Sequence, residues 1–246
     1  MLETRGILRV IVTGRSFYSL TSAVDDDFPV DYYILSSGSG VYSKEQKTLI
    51  YKTSMSREEA REIGELLLSL NCDFMVHEVL PDNHIFSYRR SGKPNRDFEN
   101  RIRYYEDHGR EIKNLQSLNE DISQFLVIEK PGSTLFKILR EKLESCTVIR
   151  TTSPLDHESS WIEIFPEGTN KGSTLQWLAQ RYGLTREKVF SIGNDFNDLH
   201  MLRWTRSSFV VANASAPLLD EFRVVSSNDN DGFSEAAALW IKETGL

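Results

Sequence analysis

Three short, mostly apolar runs, at residues 7–12, 31–35 and 189–192, each break into a loop of small polar residues. Runs of this length bounded by turn residues read as strands buried on both faces, the condition of a parallel sheet covered by helices. The loops that follow them are Thr13-Gly14-Arg15, Ser36-Ser37-Gly38-Ser39-Gly40 and Gly193-Asn194-Asp195-Phe196-Asn197-Asp198. Open α/β sheets hold their ligands at the carboxyl ends of strands, where backbone N–H groups are free and small side chains leave room. Candidate site residues therefore gather on these loops.

The rest of the chain divides around them. Ser56 and Glu59 form a capping-box signature, and Ile63, Leu66, Leu67 and Leu70 then recur at helical spacing, so a helix runs to about Leu70. Strand-like stretches at 73–79, 84–88 and 125–129 and a helical pattern over 133–143 make the middle third a separate α/β module. The last third returns to short β/α steps: a helix carrying Leu175, Leu178, Ala179 and Tyr182, then the strand at 189–192. Strand 209–211 leads to helix 216–222, and strand 223–225 to helix 233–242. The expected architecture is a parallel-sheet core made of residues 1–53 and 158–246, with residues 54–157 inserted as an α/β module.

Composition excludes several classes of function. Of the 246 residues, 39% are hydrophobic and 26% charged, the usage of an ordinary folded protein. The net charge of −7 argues against a nucleic-acid partner, which calls for a clustered basic face. No apolar run is long enough for a membrane span, and the N-terminus lacks the pattern of a signal peptide, so a cytoplasmic location is expected. Cys72 and Cys146 stand far apart, outside any CxxC pattern, and read as free thiols.

The turn after residue 192 carries the most chemistry. It places Asn194, Asp195, Asn197 and Asp198 between a strand and a helix, and hard cations such as Mg²⁺ take such oxygen ligands. Asp and Asn are also common caps and turn formers, which alone would account for an isolated acidic turn. No GxGxxG or GxxxxGK[ST] follows any strand, so a nucleotide-binding loop of either kind has no support.

Taken in order, these segments resemble the haloacid dehalogenase superfamily, in its Cof-type, sugar-phosphatase-like branch. The strand followed by Gly193-Asn194-Asp195-Phe196-Asn197-Asp198 and then Met201-Leu202 is similar to the fourth family motif, and Thr13-Gly14-Arg15 to the second. Lys171, in Pro166-Glu167-Gly168-Thr169-Asn170-Lys171-Gly172, is similar to the third. Ser37-Gly38-Ser39 stands where Cof-type members usually carry Asn-Gly-Ala. Asn213 in Val211-Ala212-Asn213-Ala214, with Asp231-Gly232-Phe233, resembles their C-terminal signatures.

The resemblance implies a Rossmann-like core under an α/β cap, and a Mg²⁺-dependent hydrolase of small phosphomonoesters, sugar phosphates among them. In the family an aspartate attacks the phosphoryl group and water then hydrolyses the aspartyl-phosphate. It assigns Thr13 and Lys171 to catalysis. Phosphate binding falls to Thr13, Gly14, Arg15, Ser37, Gly38, Lys171, Asn197 and Asn213, and the metal to Asn194, Asp195 and Asp198. The partner is then a small phosphorylated metabolite. Two departures stand out: Asn194 occupies the usual Asp position of the fourth motif, and the first motif, Asp-x-Asp-Gly-Thr, has no counterpart here. Asp25-Asp26-Asp27 follows the second motif and reads as a solvated loop. Residues 1–6 read like the tail of a helix. Two expectations follow: a phosphatase whose chain starts at an internal methionine, or a relative that binds phosphate ligands without turnover.

Overall fold

The computed structural model describes residues 2–118 and 120–246; of the expected helix tail at 1–6, Met1 lies outside these, and Glu3–Arg5 form a 3-10 turn. In the core, β1 (Val10–Val12) leads through α1 (Phe17–Thr21) to β2 (Tyr32–Leu35), which pairs parallel to it. A hairpin of β3 (Gly40–Ser43) and β4 (Thr48–Lys52) continues this sheet antiparallel, in the order β1-β2-β3-β4.

The middle segment comprises α2 (Arg57–Ser69), β5 (Phe74–Glu78), β6 (Phe86–Arg89), α3 (Arg96–Tyr104), β7 (Gly109–Glu111), β8 (Ile122–Glu129), α4 (Leu135–Lys142), β9 (Cys146–Thr152) and β10 (Ser160–Pro166). Its strands form a separate six-stranded sheet in the order β7-β6-β5-β8-β10-β9. Helix α2 starts where its sequence signals, with Ser56 and Glu59 capping one another reciprocally. It buries Ile63 and Leu67 with Phe74, Val76, Phe125, Ile162 and Leu139, so α2 and α4 cover one face of the sheet. On the other face Phe98 and Ile102 of α3 pack with Met75, Leu126, Ile128 and Trp161.

After β10 the chain returns to the core through α5 (Lys171–Arg181), β11 (Phe190–Gly193), α6 (Leu199–Trp204), β12 (Ser207–Val211), α7 (Ala216–Glu221), β13 (Arg223–Val225) and α8 (Gly232–Thr244). Strands β11, β12 and β13 pair in parallel as a third sheet. Leu202, Val210 and Leu218 pack on one side of it and Phe209, Val225 and Ala236 on the other, so helices cover both faces. Helix α5 ties the core together: Leu175 and Leu178 share a buried cluster with Tyr32, Ile34 and Val41 of the first sheet and with Met201 of α6.

Two expectations need correction. The core holds two sheets rather than one, because β1 and β11 are each the edge strand of their own sheet. The cap sheet also runs past the expected boundary at 157, since β10 pairs antiparallel with both β8 and β9. The run from Trp161 to Phe165 is buried on both faces and carries no alternation to mark it, so its two partners could not be read locally. Cys72 is buried and Cys146 half-buried, both free, and burial pushes the Cys72 thiol up to about 11. Among the described residues no helix is long and apolar enough to cross a membrane.

Candidate active site

Four loops meet where the cap touches the core. The turn after β2 is the most constrained, with Ser36, Ser37 and Gly38 at φ +46°, +54° and +114° in succession. Left-handed serines cost energy and persist only where their surroundings hold them. Here the Ser36 amide donates to the Arg15 carbonyl and the Ser37 amide to the Thr13 carbonyl, each at 3.0 Å, lacing this loop to the one after β1. A Cβ on Gly38 would stand 2.5 Å from the carbonyl carbon and oxygen of Asn170, so only glycine lets α5 start this close. The Thr174 hydroxyl locks the contact with a 2.7 Å bond to the Gly38 carbonyl.

That approach delivers Lys171, the first residue of α5, into the junction. Its side chain is buried, and Nζ donates to Asn197 Oδ1 at 2.9 Å and to Asp198 Oδ1 at 2.6 Å. Asp198 Oδ2 in turn accepts the backbone N–H groups of Asn194 (2.8 Å) and Asp195 (3.2 Å), which closes the turn after β11. A Cβ on Gly14 would lie 3.5 Å from both Asn197 Nδ2 and Ser37 Oγ. Thr13, Gly14, Ser37, Gly38, Lys171, Asn197 and Asp198 are therefore brought together from four separate loops. The Thr13 hydroxyl accepts the Arg15 N–H at 3.1 Å, and the Arg15 guanidinium turns to the Ser19 hydroxyl. Asn213 pairs with Asn228 instead; its neighbour Ser215 reaches the site, donating its hydroxyl to Asp195 Oδ1 at 3.0 Å. Asp25, Asp26 and Asp27 are exposed, in keeping with a solvated loop. Arg90 of the cap is engaged by Glu99 and Glu111.

Asp195 behaves differently from its neighbours. Its Oδ2 accepts the Thr151 hydroxyl (2.7 Å) and the Thr152 N–H (2.9 Å), both on β9 of the cap, and its Oδ1 accepts the Phe196 N–H at 2.8 Å. The carboxylate is a fastener between the core turn and the cap. These commitments bear on the metal. The oxygens of Asp195 and Asp198 are all taken by protein donors, and among the described residues no three His, Cys, Asp or Glu side chains are grouped as a metal shell. The exposed Asn194 supplies at most a neutral oxygen. The residues present do not assemble a Mg²⁺ site in this arrangement.

Sequence patterns did not single out the cap residues that touch the core. Ser37 Oγ donates to Glu163 Oε2 at 2.8 Å, and Glu163 is a buried carboxyl on β10. The signal was a lone charge in an otherwise apolar strand, Trp161-Ile162-Glu163-Ile164-Phe165.

The sequence model of the haloacid dehalogenase-like hydrolases matches residues 1–236. The chain belongs to that family. Among curated relatives of this haloacid dehalogenase-like hydrolase, the 5-amino-6-(5-phospho-D-ribitylamino)uracil phosphatase YwtE of Bacillus subtilis is 28% identical over 249 residues, covering 92% of this chain and 84% of the relative. The putative phosphatase YxeH of the same organism is 23% identical, covering 93% and 84%. Of solved structures, SMU.1108c from Streptococcus mutans superposes with a TM-score of 0.78 at 18% identity, covering 98% of this chain and 88% of that one. The HAD subclass IIB sugar phosphatase BT4131 superposes at 0.75 and 20% identity, covering 99% and 87%. These structures share the mixed α/β fold with parallel sheet elements. By resemblance the chain is an enzyme, a haloacid dehalogenase-type phosphatase.

The fastening by Asp195 carries a prediction for this hydrolase. Asp195→Ala strips the acceptor from Thr151, Thr152 and Ser215, and is expected to cost about 1–2 kcal/mol, the lower part of the range for unmet donors because the site is only half-buried. Hydrogen exchange at the Thr152 amide should quicken. Unchanged exchange there would show that the carboxylate does not hold the cap.

Proposed function

We propose that the four-loop junction binds the phosphoryl group of a small phosphomonoester, a sugar or sugar-alcohol phosphate, the binding step with which hydrolysis in the family begins. One observation carries the reading: the buried ammonium of Lys171, held at 2.9 and 2.6 Å by Asn197 and Asp198 beside the Gly14 and Ser37 loops. A fixed cation next to backbone-rich turns suits a dianion, and it acts with more force where water is excluded. In this reading Lys171 neutralises phosphoryl oxygens, while the Thr13 hydroxyl and the Gly14 N–H orient them. The names of the relatives agree with a phosphorylated small molecule. Magnesium would supply charge neutralisation at the phosphoryl group. Asn194, Asp195 and Asp198 would hold it only if the cap contacts of Asp195 are released.

The commitment of both turn carboxylates to protein donors favours a second reading, a relative that binds phosphate ligands without turnover. One experiment separates the two. The 246-residue protein is expected to bind orthophosphate and sugar phosphates but to release no phosphate with Mg²⁺, because no residue is placed by the family motifs to accept the phosphoryl group. Turnover abolished by Lys171→Ala would instead establish hydrolysis by this chain, with another residue as nucleophile. Absence of phosphate binding would dismiss both readings.

A further inference from the structure

Two segments of the cap meet α1 of the core. The link between β5 and β6 sends Leu80 into the core, where it is buried with Leu20, Tyr33 and Leu35. Three residues on, Asn83 Nδ2 donates to Ser36 Oγ at 2.6 Å, in the left-handed turn after β2. His84 follows. His108, the last residue of the 3-10 turn Glu106–His108 ahead of β7, comes beside it. This is a second contact between cap and core, separate from the fastening of Asp195 to β9.

The two imidazoles form a three-ring cluster with Tyr18 of α1. Tyr18 lies parallel to His84, with 4.5 Å between centroids and 11° between planes. His108 stands across both, 4.8 Å from His84 at 80° and 4.9 Å from Tyr18 at 70°. His84 Nδ1 is buried without a hydrogen-bond partner. A neutral imidazole tolerates this by carrying its proton on Nε2, whereas an imidazolium must protonate Nδ1 as well, leaving a charged donor without an acceptor. Burial, and then the charge of His108, hold the His84 imidazole below its ordinary range. Asp82, the Pro81 carbonyl and Glu78 pull the other way, but that carbonyl makes no hydrogen bond to Nδ1. His77 on β5 adds no charge, since burial holds it down at about 3. Glu106 and Asp107 beside His108 are exposed, and α1 brings the Tyr18 ring and no charged side chain. Cation–π attraction to a ring as exposed as Tyr18 is weak, and recovers less than the unmet buried donor loses.

We propose that the Tyr18–His84–His108 cluster is a proton-sensitive catch, which holds the 80–84 segment of the cap on the core while His84 is neutral and weakens its hold when His84 is protonated. The docked state disfavours the imidazolium, so it binds fewer protons than the undocked state. Docking is therefore complete above the ordinary imidazole range, about 6.5, and weakens as pH falls through it. Asn83 leaves Ser36 when the segment lifts, so release also loosens the turn that carries Ser37. The catch governs how the cap sits on the core and holds whatever ligand the Lys171 junction takes.

Hydrogen exchange of residues 79–85 and 36–43, corrected for the intrinsic effect of pH on exchange, tests this. From about pH 7.5 to about pH 5.5 exchange in both segments is expected to rise at least about 3-fold, while helix α2 within the cap stays unchanged. His84→Phe keeps a ring against Tyr18 and removes the titrating nitrogens, so its exchange should be slow at both pH values. Should that variant fail to fold by circular dichroism, Tyr18→Ala opens the cluster to water, and the segments should exchange fast at both values. Exchange independent of pH in the unaltered protein, or a rise that survives in either variant, would overturn the catch. An equal rise in α2 would mean general unfolding in acid and would overturn it as well.

Discussion

Lys171→Met is expected to destabilise the protein by about 3–5 kcal/mol, the usual cost of removing one partner of a buried ion pair. Both side chains of the Lys171–Asp198 pair are 6% exposed, so the remaining carboxylate would be left without its cation and with little access to water. Its other oxygen is tied to the amides of Asn194 and Asp195, so it cannot turn outward without opening the loop after β11. Urea unfolding at neutral pH measures the loss. The double variant Lys171→Met/Asp198→Leu should recover part of it, since neither charge is then stranded. A loss under about 1 kcal/mol in the single variant would mean that water reaches the pair and that Lys171 is not the enclosed cation the candidate site requires.

Gly38→Ala carries the second largest expected effect. The added methyl would meet the Asn170 carbonyl at 2.5 Å, a contact with backbone that no side-chain rotation relieves, at a φ of +114° that L-residues rarely adopt. Strain and overpacking each cost about 1–3 kcal/mol, so a loss of roughly 3 kcal/mol or more is expected. The effect should extend to function, because the start of α5 is what places Lys171. Thermal unfolding and orthophosphate titration should deteriorate together. A destabilised variant with unchanged phosphate affinity would separate the Gly38 contact from the position of Lys171.

Much of this was legible along the chain. Ser56 and Glu59 announce α2 because a capping box is local, and the β/α steps of the last third follow from apolar spacing over a few residues. The loops with Thr13, Ser37 and Asn197 could be named because strand ends carry small polar residues wherever a sheet binds ligands, and Lys171 joined them through its resemblance to the third family motif. Other features were out of reach. Strand β10 is buried on both faces and apolar but for Glu163, so no periodicity assigns it to the cap, and only its pairing with β8 and β9 does so. His77, Gln124 and Glu163 form a row only after three strands have come into register.

The acidic turn shows where the division falls. Its residue types and spacing determined that carboxylates and amides would crowd the end of β11, while the family resemblance alone added Lys171 to them. What each carboxylate does was decided by partners far along the chain. Asp198 takes the cation 27 residues away, Asp195 takes Thr151 44 residues away, and the Ser37 hydroxyl reaches Glu163 across 126 residues. Hydrogen-bonding capacity is a property of the side chain and is written in the sequence. Occupancy depends on which donor the packing of cap and core brings within 3 Å, and that is settled only by the tertiary structure.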